Sequence, residues 1–188
     1  MSNFSDMIVA GTKAMPLSEH HINQKTGIEL SEIFLSIAPF LDGVQHHLSS
    51  QFSAFDSEIS PYAKYALSRQ GKQLRAALTG LAANCVGDCN DSVTRAAVIV
   101  EMVHLATLVH DDIIDEAEVR RGLPTLANKW GNSVAVLTGD CLFAHSLKLA
   151  AEFPSSDVCK AVANATRTVC SGEIIQSHRK GQLKLDQS

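Results

Sequence analysis

Three aspartates, Asp111, Asp112 and Asp115, close a segment whose preceding residues, Met102 to Val109, are mostly apolar. On a helix turning about 100° per residue, Asp111 and Asp115 stand about 40° apart on one face, whereas Asp112 is turned about 100° from Asp111. Carboxylates one turn apart repel each other, so a cation is expected between them. Their oxygens suit the hard ion Mg²⁺, which typically takes one or two protein carboxylates, keeps several waters and shares the rest of its sphere with phosphate. Taken alone, the same spacing also describes a solvated acidic helix end.

The basic residues shift the balance towards phosphate. Arg120-Arg121-Gly122 follows Asp115 within a few positions, and Gly71-Lys72-Gln73-Leu74-Arg75 lies upstream, with Lys72 and Arg75 at a spacing that shares one helix face. Arginine offers a planar fork matched to phosphate oxygens and lysine a mobile point charge. Together the acidic cluster and the two basic clusters suit a pair of diphosphates and a divalent ion.

These residues need helices to hold them. Residues 1–26 are polar, without a sustained period, and are expected to form a flexible arm; residues 27–188 are expected to form one helical domain. From Gly27 the apolar residues Ile28, Ile33, Ile37, Leu41, Val44 and Leu48 recur near helical spacing, with Pro39 expected to kink or divide the run. Ser60-Pro61 predicts a helix start, Gly71 an interruption, Lys72 to Val86 a helix closed by Gly87, and Asp91 the start of the helix that carries the aspartates. Gly122 and Pro124 predict a turn, Thr125 a cap, Leu126 to Ala151 a helix, and Val158 to Leu185 another, interrupted by Gly172 and Gly181. No stretch alternates like a strand for long, so the fold class is all-α.

Composition narrows the function classes. The chain of 188 residues is 45% hydrophobic and 19% charged, ordinary for a globular domain, and its net charge of −4 opposes nucleic-acid binding by bulk charge. The start lacks a signal-peptide pattern, and charge interrupts the apolar stretches before the ~20 residues of a membrane span, so a cytoplasmic protein without a transmembrane segment is expected. Five cysteines at irregular positions do not make a disulfide framework; Cys85 and Cys89 read as small buried residues, and the doublets His20-His21 and His46-His47 as surface histidines.

In order and spacing, Gly71-Lys72-Gln73-Leu74-Arg75, His104, Asp111-Asp112-Ile113-Ile114-Asp115, Arg120-Arg121-Gly122-Leu123-Pro124, Gly139-Asp140 and Gly172-Glu173-Ile174-Ile175-Gln176 resemble the trans-isoprenyl diphosphate synthases, especially the longer-chain polyprenyl synthases. The resemblance covers the chain from about Gly27 onwards. It implies an isoprenoid-synthase-type helical bundle, incomplete at its C-terminus, and a head-to-tail condensation of isopentenyl diphosphate with an allylic diphosphate, commonly by a homodimer. By the same resemblance, Asp111 and Asp115 would bind Mg²⁺ on the allylic diphosphate with Asp112 supporting them. Arg120 would contact that diphosphate, and Lys72, Arg75, His104 and Arg121 would hold isopentenyl diphosphate. Ala106 would belong to the floor that limits chain length, small where short-chain synthases carry an aromatic. Gln73 stands where many members carry arginine.

The chain departs from the family in one respect. After Asp115 the remaining aspartates, Asp140, Asp157 and Asp186, are isolated, so the family's second aspartate-rich motif is missing and this chain alone is expected to be inactive or incomplete. A fragment of a full synthase explains this most simply, and a non-catalytic partner subunit is the next reading. A class I terpene cyclase shares the acidic motif but binds one diphosphate and does not need Lys72, Arg75 and His104. A metal-dependent phosphohydrolase of the His-Asp type would use His110-Asp111 but leaves the arginines without a shared role.

Overall fold

A computed structural model of the chain describes residues 30–68, 71 and 73–180. The expected arm over residues 1–26, the His20-His21 doublet and Lys72 lie outside the described residues. The chain divides into two compact units, Met1–Ser146 and Leu147–Ser188.

In the first unit, α1 (Leu30–Ser36) ends where Pro39 cannot continue it, and α2 (Ala38–Gln51) begins with that proline in its first turn. The run from Gly27 is therefore divided rather than kinked. Leu41, Val44 and Leu48 recur at helical spacing and are fully buried, and Phe52 continues the stripe into a single 3₁₀ turn, Phe52–Ala54. The short α3 (Ser60–Leu67) starts at Ser60-Pro61 and is tied back by Ser60 Oγ, which donates to the Phe52 carbonyl at 3.2 Å.

α4 (Leu74–Val86) turns its small residues Ala76, Ala77 and Gly80 inward. A Cβ at Gly80 would stand 2.6 Å from Cδ1 of Phe40, so the glycine sets how closely α2 and α4 approach. α5 (Asp91–Ile114) is the central helix, packed against α2, α3 and α4. Asn90 caps it by accepting from the Val93 amide, and Ala97, Val98, Ile99, Met102, Leu105, Ala106 and Val109 supply the core.

Beyond α5 the chain makes a small antiparallel hairpin, β1 (Val119–Arg120) paired with β2 (Leu123–Pro124). Its central residues, Arg121 and Gly122, both have positive φ, at 53° and 77°, the requirement of a type I′ turn. The Thr125 side chain then caps α6 (Leu126–Trp130), accepting from the Asn128 amide while donating to the Ala117 carbonyl at 2.7 Å. Gly131, at φ 86°, ends α6 and separates it from α7 (Asn132–Ala151). The expected single helix from Leu126 to Ala151 is thus two, because that backbone angle cannot lie within a right-handed helix.

The second unit holds the end of α7 and α8 (Asp157–Lys180). Gly172 does not interrupt α8, since one glycine within a 24-residue helix costs only about 1 kcal/mol. Cys85 and Cys170 are exposed, against the expectation of small buried residues for Cys85; all five cysteines are free. By length and composition alone, α5 and α7 are both apolar enough to cross a bilayer, contrary to the expected charge interruption. Central helices of water-exposed domains pass the same test, and α5 is sheathed by α2 and α4.

Candidate functional site at the end of the central helix

The last turn of α5 presents the aspartates. The Asp115 amide donates to the Asp111 carbonyl at 2.8 Å, which fixes the two residues one turn apart. Asp111 is half-buried and Asp115 exposed, whereas Asp112 is turned inward and only 4% exposed. Arg120 answers it from β1: its Nε donates to Asp112 Oδ1 at 2.5 Å. This charge-assisted contact joins the hairpin to the end of α5 and fixes the plane of the Arg120 guanidinium. The Ala117 amide, donating to the Asp112 carbonyl at 2.9 Å, tightens the same corner.

Further bonds hold the hairpin on its outer side. Tyr65 donates its hydroxyl to the Pro124 carbonyl at 2.8 Å, and Trp130 meets Tyr62 and Tyr65 edge-on, with the Lys129 ammonium over both the Tyr65 and Trp130 rings. On the inner side the Arg121 guanidinium lies across Gly71. A Cβ there would stand 2.7 Å from its Nη1 and closer still to Nη2. The two basic motifs, far apart in sequence, therefore meet.

Their meeting place is His104, two turns before Asp111 on α5. Burial, and then the positive charges of Arg75, Arg121 and Arg120, push its pKa down to about 4. The imidazole is neutral near pH 7 and so does not add to the repulsion among the guanidinium groups. The sequence-predicted residues Arg75, Arg120 and Arg121 all act electrostatically on His104, and Arg120 links that group to the end of α5 that carries Asp111 and Asp115 through its contact with Asp112. Asp112 pairs with Arg120 and is the most buried of the three aspartates.

His110 serves packing. A Cβ at Gly139 would stand 2.6 Å from its Cδ2, and its Nε2 lies 3.2 Å from the Val136 carbonyl and 3.4 Å from Asp140 Oδ1. Gly139-Asp140 is thus the seat of His110 on α7, which leaves the phosphohydrolase reading without its leading histidine. Ala106 is 1% exposed, in the packed core of α5. The segment Gly172-Glu173-Ile174-Ile175-Gln176 is an exposed stretch of α8 in the second unit.

Two contributors were not anticipated. Glu101, 4% exposed on α5, accepts the Ala76 amide of α4 at 3.0 Å. Its signal in the sequence is an acidic residue between Ile99 and Met102 in an otherwise apolar stripe, a position that demands a partner. Gln45 of α2 accepts from Nε2 of Gln73, and no local pattern marks that pair.

Among the described residues no three His, Cys, Asp or Glu side chains cluster as a self-contained metal site. Asp111 and Asp115 give carboxylate oxygen donors one helical turn apart at the end of α5, a set that fits a divalent ion completing its sphere with water and diphosphate.

The sequence profile of the polyprenyl synthetase family matches residues 56–188. Heptaprenyl diphosphate synthase component 2 of Geobacillus stearothermophilus is 34% identical over 160 residues, 85% of this chain and 49% of the relative. Geranylgeranyl diphosphate synthase of Methanosarcina mazei is 36% identical over 136 residues, 70% of this chain and 42% of the relative. A polyprenyl synthase from Caulobacter crescentus, solved with calcium and isoprenyl diphosphate, superposes with a TM-score of 0.77 at 33% identity, covering 88% of this chain and 50% of that one. The chain spans about half the length of the relatives it matches. With the helical fold of the isoprenoid synthases and a profile match over most of its length, this chain belongs to the polyprenyl synthetase family.

Proposed function

We propose that this chain supplies one side of a trans-prenyltransferase site that condenses isopentenyl diphosphate with an allylic diphosphate. The gathering of Arg75, Arg120 and Arg121 around a neutral His104, on the same helix as Asp111 and Asp115, carries the reading. A class I cyclase has one diphosphate to bind, whereas this arrangement offers a basic cluster and, next to it, a separate carboxylate pair.

In the reaction the allylic C–O bond breaks to give a carbocation and pyrophosphate, the double bond of isopentenyl diphosphate attacks the cation to form the new C–C bond, and the resulting tertiary cation gives up a proton to the released pyrophosphate to leave the lengthened allylic diphosphate. Asp111 and Asp115 would hold Mg²⁺, whose charge stabilises the departing pyrophosphate. Arg120, fixed by Asp112, would meet the same leaving group with a preset donor, which favours the more highly charged transition state over the substrate. Lys72, Arg75, His104 and Arg121 would hold the diphosphate of isopentenyl diphosphate, with His104 as a neutral hydrogen-bonding group. The apolar faces of α5 would shield the cation from water.

Titration calorimetry tests the assignment. Isopentenyl diphosphate is expected to bind without added metal and to be lost in Arg75→Ala, whereas a non-hydrolysable allylic analogue is expected to need Mg²⁺ and to be lost in Asp115→Ala. Binding of only one diphosphate, indifferent to Arg75, would instead indicate a cyclase-like site.

A second reading, that the chain works with a partner subunit, is supported by the name of a relative described as a component of heptaprenyl diphosphate synthase. Exposed apolar side chains such as Leu78 on α4 and Leu137 on α7 give a dimer or a heteromer surface to use. Turnover that appears only on mixing with a second chain would favour this reading; turnover by the chain alone would exclude it.

A further inference from the structure

Glu101 is a buried carboxylate that the proposed chemistry does not use. It projects from the middle of α5 and accepts the amide of Ala76, in the first turn of α4. That turn lacks a side-chain cap of its own: the residue at its start, Gln73, has φ 48° and ψ 41°, in the left-handed region. Serine or aspartate at this position would ordinarily cap the helix. An aspartate at position 73 would also place negative charge between Lys72 and Arg75, in the segment assigned to a diphosphate. A cap delivered from α5 satisfies the helix end from behind and leaves the front of the turn basic.

The placement of Glu101 ties this cap to the site. It precedes His104 by three residues, so both project from one side of α5. Arg75, adjacent to Ala76, interacts electrostatically with both residues. Burial pushes the Glu101 carboxyl up, while the Ala76 hydrogen bond and the Arg75 charge oppose that shift. A buried group costly to ionise is kept within the apolar stripe of the central helix, at the one place where it meets the start of α4.

We infer that Glu101 is a positioning residue for the isopentenyl diphosphate side of the site, holding the first turn of α4 so that Arg75 stands beside His104. The inference rests on the reading of two diphosphate sites given above, and it adds to that reading a residue that touches neither substrate.

The test compares Glu101→Leu, which keeps bulk and removes the acceptor, with Glu101→Gln, which keeps an acceptor oxygen. Isopentenyl diphosphate, the allylic analogue with Mg²⁺ and the exchange rate of the Ala76 amide are measured on each variant. Glu101→Leu is expected to weaken isopentenyl diphosphate binding about tenfold or more, to change the allylic analogue less than about threefold and to speed Ala76 exchange. Glu101→Gln is expected to restore all three. Equal loss of both ligands, loss of neither, or unchanged Ala76 exchange overturns the inference. Should Glu101→Leu fail to fold, Glu101→Asp decides: its carboxylate, drawn back by one methylene, is expected to give a smaller loss for the same ligand alone, and an equal loss for both overturns the inference. If the unmutated protein binds neither diphosphate, the functional reading itself fails and the positioning role falls with it, even where Ala76 exchange still follows the cap. If it binds both but the variants do not separate them, only the positioning role fails.

Discussion

Arg120 Nε and Asp112 Oδ1, 2.5 Å apart, join the hairpin to the last turn of the central helix. The pair divides the three aspartates into two kinds, a buried one that fixes a guanidinium and two, Asp111 half-buried and Asp115 exposed, that lie one helical turn apart.

Substitutions among the aspartates should therefore differ in kind. Asp115→Ala is expected to abolish Mg²⁺-dependent binding of an allylic analogue with little change in thermal stability, since Asp115 is exposed. Asp112→Asn, which removes the charge from a buried partner, is expected to cost about 2 kcal/mol of stability and to weaken the same ligand only partly. Calorimetry with a parallel thermal melt measures both; an equal loss of ligand in the two variants would contradict the division.

Gly71→Ala isolates the role of Arg121. The three atoms nearest the added methyl all belong to the guanidinium end of a long side chain, which can swing away, so stability is expected to change by less than about 1 kcal/mol. Affinity for isopentenyl diphosphate is expected to fall about tenfold as Arg121 leaves its seat, the size of one lost charge-assisted contact. Unchanged affinity in a calorimetric titration would show that Arg121 does not need this position.

His104 predicts a pH dependence of stability. Its pKa of about 4 lies below the ordinary 6.5, so the folded chain refuses a proton that the unfolded chain takes. The stabilisation is fully present above pH 6.5 and is lost as pH falls from there towards 4. Because the ring is only partly buried, the expected loss is on the order of 1 kcal/mol. Melting temperatures across this range should slope more steeply for the unmutated protein than for His104→Gln. Bound pyrophosphate, by offsetting the arginine charges, should raise the His104 pKa in an NMR titration.

Ala106→Phe tests the chain-length floor. Ala106 sits in the packed core, so the aromatic ring must displace neighbours, at an expected cost of about 1–3 kcal/mol. In a catalytically complete assembly the same ring is expected to shorten the product, read by chromatography of the dephosphorylated prenols. A destabilised variant that makes products of unchanged length would remove Ala106 from the floor.

The sequence by itself determined the helical class, the divisions at Pro39, Ser60-Pro61 and Asp91, and the residue types of the site. Each of these rests on local physics: proline geometry, capping, the spacing of carboxylates on one helix face. The break at Gly131 was harder to read, because glycine is tolerated within helices, as Gly172 shows, and only the backbone angle separates the two cases. Tertiary structure alone decided that Asp112 faces Arg120, that Arg121 lies on Gly71, that His104 is held neutral among three arginines, and that Glu101 caps a helix other than its own. These are contacts between residues distant along the chain, and their energies depend on burial and on the approach of helices, which neither spacing nor composition encodes.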